Sequence, residues 1–248
     1  MDSKINVMGL DIDYISFYTL KEKTLEYLTN DRLNIYVFLS TKLIAEAAED
    51  KELETCLKET DFLLPGEEQV FGIHSQLLTK KNMVKGYHSF LELIDKMDKT
   101  YTIYVLASQE STIEKITSYC KLNFPKITII GTYNQKEEWT DEQLVNAINS
   151  ANPDMIVNTI PTPFEGTWVA AYWQQLNSRL YIGLGAIFDI MVSELKAPPL
   201  LIRKLHLLSL YHKIRGFQRH KSCATRIFRR KVEQYNTKKG ENENGTTY

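Results

Sequence analysis

The chain has 248 residues, 43% apolar and 25% charged, with a formal net charge of −1, which suits one large α/β domain or two small ones able to fold without covalent staples. Its three cysteines, Cys56, Cys120 and Cys223, are too dispersed for a disulfide framework or a CxxC metal site and point to a reducing compartment. The N-terminal "MDSKINVMGLDIDYIS" lacks the basic region, apolar run and small-residue cleavage site of a secretory signal, and no stretch approaches the ~18 consecutive apolar residues of a membrane span.

From residue 33 onward, short β-branched or aromatic runs alternate with helical patterns. "LNIYVFL" (33–39) reads as a strand, and "TKLIAEAAEDKELETCLKE" as one helix with Leu43, Ala47 and Cys56 roughly in phase. "FLLP" is a short strand and "HSFLELIDKM" a helix. "YTIYVLA" (101–107), "KITIIGTY" (126–133), "DMIVNTI" (154–160) and "LYIGLG" (180–185) are further strands. The helices "STIEKITSYCKLNF", "TDEQLVNAINSA" and "PFEGTWVAAYWQQL" separate them. Thr140, three residues before Gln143, reads as a capping box, and Pro163 opens the helix that contains Trp168. This order predicts a mostly parallel sheet sandwiched by helices, a Rossmann-like α/β fold.

After Pro198-Pro199 the chain turns leucine-rich, basic and helical. We therefore expect an α/β domain over residues 1–197, a basic helical appendage over 198–235 and a disordered polar tail over 236–248. From Arg203 to Lys231 there are ten Lys/Arg and no Asp/Glu, so the remainder carries 20 basic against 31 acidic residues. A basic segment admits three readings: a nucleic-acid surface, a solvated helix, or attraction to anionic lipid or a diphosphate. No DNA or RNA module precedes it, so nucleic acid is not an expected partner. Leu200, Leu201, Leu205, Leu207, Leu208 and Leu210 set apolar surface beside the charges, as an interfacial helix on an anionic membrane requires. Arginines such as Arg203, Arg215 and Arg219 also suit bidentate clamping of a diphosphate.

Open parallel sheets bind ligands beyond the carboxyl ends of their strands. Here those positions hold Ser40-Thr41, Gly66-Glu67-Glu68, Ser108-Gln109, Thr132-Tyr133, Thr159 to Glu165 and Gly185 to Asp189. "GLGAIFD" (183–189) is not a full GxGxxG; it suits either a turn that lets backbone approach a sugar or phosphate, or a tight turn with Asp189 capping a helix. No P-loop, HExxH, GxSxG or HRD pattern is present, His74 and His88 are isolated, and no metal or cofactor is expected.

The run "NPDMIVNTIPTPFEGTWVAAYWQQLNSRLYIGLGAIFDIMVSELKAPP" resembles the WecG/TagA/CpsF glycosyltransferases, which carry a "PDIL" strand, "PKQE-x-W", "GVG-x-x-FD" and "RAP". "AEDKELETCLKETDFLLP" is likewise similar to that family's "A-x-x-D-P-E-L … A-D-L-V-L-P", and the likeness covers nearly the whole chain before the tail. The resemblance implies an inverting, metal-independent transferase that is cytoplasmic and peripheral to the inner face of the plasma membrane. It implies transfer of N-acetylmannosamine or a related hexose from a UDP-sugar to a sugar linked to undecaprenyl diphosphate, in bacterial surface polysaccharide synthesis. It also implies that the basic appendage assists membrane association and completes the site.

The polar positions depart from the family pattern. Where "LPDG" supplies the family's aspartate base, this chain has Gly66-Glu67; "T-x-N" becomes Phe38 and Ser40; "G-S-D" becomes Gly86-Tyr87-His88. The "G-G" loop becomes Ala107-Ser108, "PKQE" becomes "PFEG" with Glu165 and Gly166, and "EWLYR" becomes "LSLYH" with His212 in the arginine's place. Glu67, one residue past the missing aspartate, is the candidate base, with Glu68 and Glu165 in reserve. Ser40, Thr41, Glu165, Trp168, Gly183, Gly185, Asp189, Arg203, Arg215 and Arg219 are the candidate substrate contacts. The alternative is a partner subunit derived from the family that binds nucleotide-sugar, lipid carrier or an active paralogue without turnover; a homo-oligomer is also compatible.

Overall fold

The computed structural model of the chain describes residues 3–73, 83–84, 87–161, 164–185 and 222–244. It opens with two elements that precede the first predicted strand. β1 (Ser3–Val7) and β2 (Leu10–Tyr14) form an antiparallel hairpin closed by Met8 and Gly9, both with positive φ (50° and 92°). Two left-handed residues make a tight turn that matches strand twist. α1 (Phe17–Tyr27) follows, its first turn capped by the Ser16 hydroxyl, which accepts from the Thr19 amide.

The main sheet has six strands: β3 (Asn34–Leu39), β4 (Phe62–Pro65), β5 (Tyr101–Ala107), β6 (Ile127–Asn134), β7 (Met155–Asn158) and β8 (Leu180–Gly183), in the order β4-β3-β8-β7-β5-β6. Every neighbouring pair is parallel, so all six carboxyl ends share one rim. Side chains alternate between faces along each strand. Ile35, Val37 and Leu39 point into a core shared with the hairpin, whereas Tyr36 and Phe38 point into the opposite core.

The first core also takes α2 (Thr41–Ala47), α3 (Lys51–Lys58), α4 (Glu68–Phe71), α7 (Asp141–Ala151), α8 (Phe164–Tyr172) and α9 (Ser222–Asn244). The second takes α1, α5 (Tyr87–Asp95) and α6 (Glu110–Asn123). This is the sandwiched α/β arrangement expected. Each fully buried leucine, among them Leu20, Leu43 and Leu57, contributes about 1.5–3 kcal/mol relative to exposure. Thr140 and Gln143 close the capping box at the start of α7 in both directions.

The structure revises two expectations and adds elements at the start of the chain. The single helix expected over 41–59 is two, because Asp50 accepts from the Glu52 and Leu53 amides and starts α3 afresh. The hairpin and α1 extend the fold ahead of residue 33. The tail expected to be disordered from 236 instead continues α9 through Asn244. Phe228 and Val232 anchor the helix to the core and so supply its nucleus. Pro163 and the boundary near residue 198 lie outside the described residues.

β6 is an edge strand interrupted by a bulge: Ile103 pairs with Ile129, but Tyr104 pairs with Gly131, leaving Ile130 unmatched. A bulge of this kind twists an edge away from further pairing. Gly131 is required by contact, since a Cβ there would run into the Tyr104 ring, whose hydroxyl donates to the Thr132 carbonyl. Gly131→Ala is expected to destabilise the fold by about 1–3 kcal/mol, read as a lower urea midpoint at unchanged slope. A midpoint at or above that of the native chain would show that the ring moves aside freely.

Candidate active site

β4, β3 and β8 are consecutive in the sheet, so the segments leaving them are within two strand spacings, roughly 10 Å, of one another. That adjacency brings together Glu67, Ser40 with Thr41, and Gly183 with Gly185. The chain leaves β4 through Pro65-Gly66, and the Gly66 amide donates to the Leu39 carbonyl at 2.9 Å, extending the ladder to the point where Glu67 emerges. The Glu67 carbonyl then accepts from Val70 and Phe71 at 3.1 and 3.2 Å, which starts α4. Glu67 is therefore fixed on both sides by backbone.

Its side chain is half-buried and aimed at the start of α2: Thr41 Oγ1 donates to Glu67 Oε2 at 3.0 Å. Burial pushes the Glu67 carboxyl above its ordinary value, and the hydroxyl and amide of Thr41 pull it back only in part. Ser40 is itself buried and accepts from the Leu43 amide at 3.0 Å as the cap of α2, so its hydroxyl is committed to the scaffold. In Thr41→Val the Glu67 carboxyl should titrate at higher pH than in the native chain, as followed by carbon-13 NMR. An unchanged or lower midpoint would contradict this hydrogen bond.

The turn after β8 is built around Asn158. Its carbonyl accepts from Leu184 and Gly185 at 2.9 and 3.2 Å, and Gly185 takes a positive φ of 46°. Glycine allows that conformation, and Gly183, Leu184 and Gly185 are all buried. Asn158 is fully buried; its amide donates to Tyr181 Oη at 2.6 Å and its side-chain oxygen accepts from the Ile160 amide at 2.8 Å. Sequence reading passed over Asn158 and Tyr181. The only sign was an asparagine inside the apolar run "DMIVNTI".

Trp168 is not free at the rim. It is 4% exposed, stacks on Phe164 with centroids 5.4 Å apart, and donates to Asp141 Oδ1 at 3.0 Å, while Tyr172 donates to Asp141 Oδ2. Asp141 thus ties α8 to the first turn of α7, a role that no local pattern announced. Glu165 lies in the first turn of α8, and Glu68 opens α4. Asp189, Arg203, Arg215 and Arg219 lie outside the described residues. Among the described residues no cluster of three His, Cys, Asp or Glu is placed to hold a metal ion.

A groove of about 420 Å³ adjoins this site between α2, α4 and α9. Thr41, Gln69 and Phe228 form part of its wall; Lys42 and Lys231 share the lining with Glu46 and Glu49, and Lys42 is paired with Glu46 at 3.5 Å. The groove thus offers an apolar ring beside balanced charge, and Thr41 links it to Glu67. The rim therefore supplies the held carboxylate that proton abstraction requires.

Comparison with known proteins bears on that chemistry. The model of the Glycosyl transferase WecG/TagA/CpsF family matches residues 5–232. The chain is 25% identical over 205 residues to the N-acetylglucosaminyldiphosphoundecaprenol N-acetyl-beta-D-mannosaminyltransferase of Bacillus spizizenii, covering 82% of this chain and 78% of the relative. It is 22% identical to the protein of the same name from Bacillus subtilis, over 84% and 81% of the two chains. For the Staphylococcus aureus MW2 protein, also of that name, identity is 19% over 88% and 87%.

Proposed function

The chain belongs to the WecG/TagA/CpsF glycosyltransferase family, and on that premise we propose that it transfers an N-acetylmannosamine-like hexose from a UDP-sugar to an undecaprenyl-diphosphate-linked sugar, with inversion, using Glu67 as base. The observation that carries this reading is the half-buried Glu67 carboxylate held by Thr41 at the rim where the strands end. Glu67 takes the proton of the acceptor hydroxyl as that oxygen attacks the anomeric carbon. The bond to the diphosphate breaks from the opposite face, and UDP leaves with the electron pair. Raising a carboxylate toward the working pH makes it a stronger base.

The other parts follow from position. The Gly183–Gly185 turn, itself buried, shapes the floor of the sugar or phosphate site. The acceptor's diphosphate lies at the edge of the groove between α2 and α9 beside Lys231, Lys42 being paired with Glu46. Glu165, Asp189, Arg203, Arg215 and Arg219 complete the substrate site, and Trp168 serves it as a support through Asp141. No described helix is long and apolar enough to cross a membrane. Reaching a lipid-linked acceptor then calls for peripheral contact with the anionic inner face of the plasma membrane, made through the basic C-terminal segment, where Arg226 is exposed and Ile227 is 55% exposed.

The test incubates the protein with UDP-N-acetylmannosamine and N-acetylglucosaminyl-diphosphoundecaprenol in detergent micelles, following UDP release and the glycolipid by mass spectrometry. A disaccharide-lipid product is expected. UDP binding without product from this or any other UDP-hexose would overturn the transferase reading in favour of a binding partner.

A further inference from the structure

The residue that completes the carboxylate's support comes from the far end of the chain. α4, Glu68–Phe71, is a single turn that begins directly after Glu67 and is too short to hold its shape unaided. Its amino end is fastened by Gly66 to β3, and its middle by Tyr14, whose hydroxyl donates to the Val70 carbonyl at 2.9 Å. Its carboxyl end is met by α9: Arg229 Nη2 donates to the Gly72 carbonyl at 3.1 Å and to that of Ile73 at 3.4 Å. These carbonyls end a turn of helix, where a cation satisfies orphan acceptors and the end of the helix dipole together.

α9 reaches this point because one of its faces is buried. Phe228, Val232 and Tyr235 recur at spacings of four and three, which places them on one stripe. Tyr235 lands on the hairpin turn, where a Cβ on Gly9 would lie 3.2 Å from its hydroxyl. With the helix seated at these places, Arg229 sits over the loop that leaves α4.

We propose that Arg229 is a positioning residue for the transfer reaction, clamping the carboxyl end of α4 so that the Glu67 at its start stays set against Thr41. The inference rests on Glu67 being the base, and it gives the C-terminal helix a catalytic consequence separate from any contact with membrane. Arg229 does not touch substrate in this account; it acts through five residues of backbone.

The test compares the native chain with Arg229→Gln, Arg229→Lys and Arg230→Gln, the last removing an equal charge from the exposed neighbouring position. Turnover of UDP-N-acetylmannosamine is measured in detergent, together with amide exchange at Val70 and Phe71, whose hydrogen bonds end on the Glu67 carbonyl. Arg229→Gln should lower kcat about tenfold with KM for the donor within about twofold, since misplacing a catalytic group by an ångström costs up to ~10²-fold. Exchange at both amides should quicken about tenfold as the turn opens locally without global unfolding. Arg229→Lys should recover part of both effects, and Arg230→Gln should match the native chain. Native kcat in Arg229→Gln, or an equal loss in Arg230→Gln, would overturn the clamp while leaving Glu67 as base. If the native chain itself gives no turnover, the transferase reading fails and takes the catalytic role of Arg229 with it; the exchange data then still decide whether Arg229 holds α4.

Discussion

Glu67→Gln should lower kcat by about 10²–10⁴-fold, the range that general base catalysis supplies, while leaving UDP binding and the fold in place. Glutamine keeps the shape of the side chain and its ability to accept from Thr41, and removes only the capacity to take a proton. The stability expectation follows from the sign of the pKa shift. Burial raises the folded-state value above the unfolded one, so this carboxyl favours folding below its unfolded pKa, and the contribution is lost as pH rises through the folded-state pKa. At neutral pH a neutral amide removes a desolvated charge, and the variant should be at least as stable as the native chain. Turnover at saturating donor, UDP calorimetry and a urea titration check the three parts. A loss smaller than about threefold would take Glu67 out of the proton transfer, because a positioned base is worth far more than that.

The largest effect on stability is expected at Asn158. Leucine there has nearly the same volume but strips the Ile160 amide of its acceptor and takes a 2.6 Å partner from the Tyr181 hydroxyl, in a place with no access to solvent. Stranding the buried Ile160 amide costs about 1–3 kcal/mol and losing one hydrogen bond at Tyr181 about 1 kcal/mol, so Asn158→Leu should cost roughly 2–4 kcal/mol. The urea midpoint should fall accordingly. The Leu184 and Gly185 amides bond to the backbone carbonyl of Asn158, so a variant stabilised by ligand should still form the turn after β8. Stability equal to that of the native chain would mean that the amide's hydrogen bonds are replaced at no cost.

The strands of the main sheet could be read from the sequence because each is a short apolar run between helical patterns, and strands buried on both faces require that composition. The convergence of Ser40, Thr41, Glu67, Gly183 and Gly185 followed from the same fact: an all-parallel sheet puts every strand's carboxyl end on one rim. The hairpin was harder, because "KINVMGLDIDY" mixes charge with apolar residues and its turn depends on Met8 adopting a conformation unusual for methionine. The break before α3 was hidden by the apolar phase, which carries on across Asp50. The polar composition of the last residues suggested disorder, yet docking of Phe228 and Val232 nucleates a helix that those residues then extend.

Site partners set by tertiary neighbours left no trace in the local pattern. Asn158 meets Tyr181 because β7 lies beside β8, Trp168 meets Asp141 because α8 packs near the start of α7, and Arg229 meets α4 across more than half the chain. Spacing along the sequence announces none of these. The place of Trp168 in a motif announces a substrate contact but not the hydrogen bond by which its indole ties α8 to Asp141.

The most direct test of Glu67 as the base is the pH dependence of kcat/KM for UDP-N-acetylmannosamine, measured for the native chain and for Glu67→Gln. The native profile should fall on its acid side with a midpoint above the ordinary glutamate range, as a carboxyl raised by burial requires. The residual activity of the variant should lack that limb. An acid limb that persists unchanged in Glu67→Gln would assign the proton to another group and contradict the account.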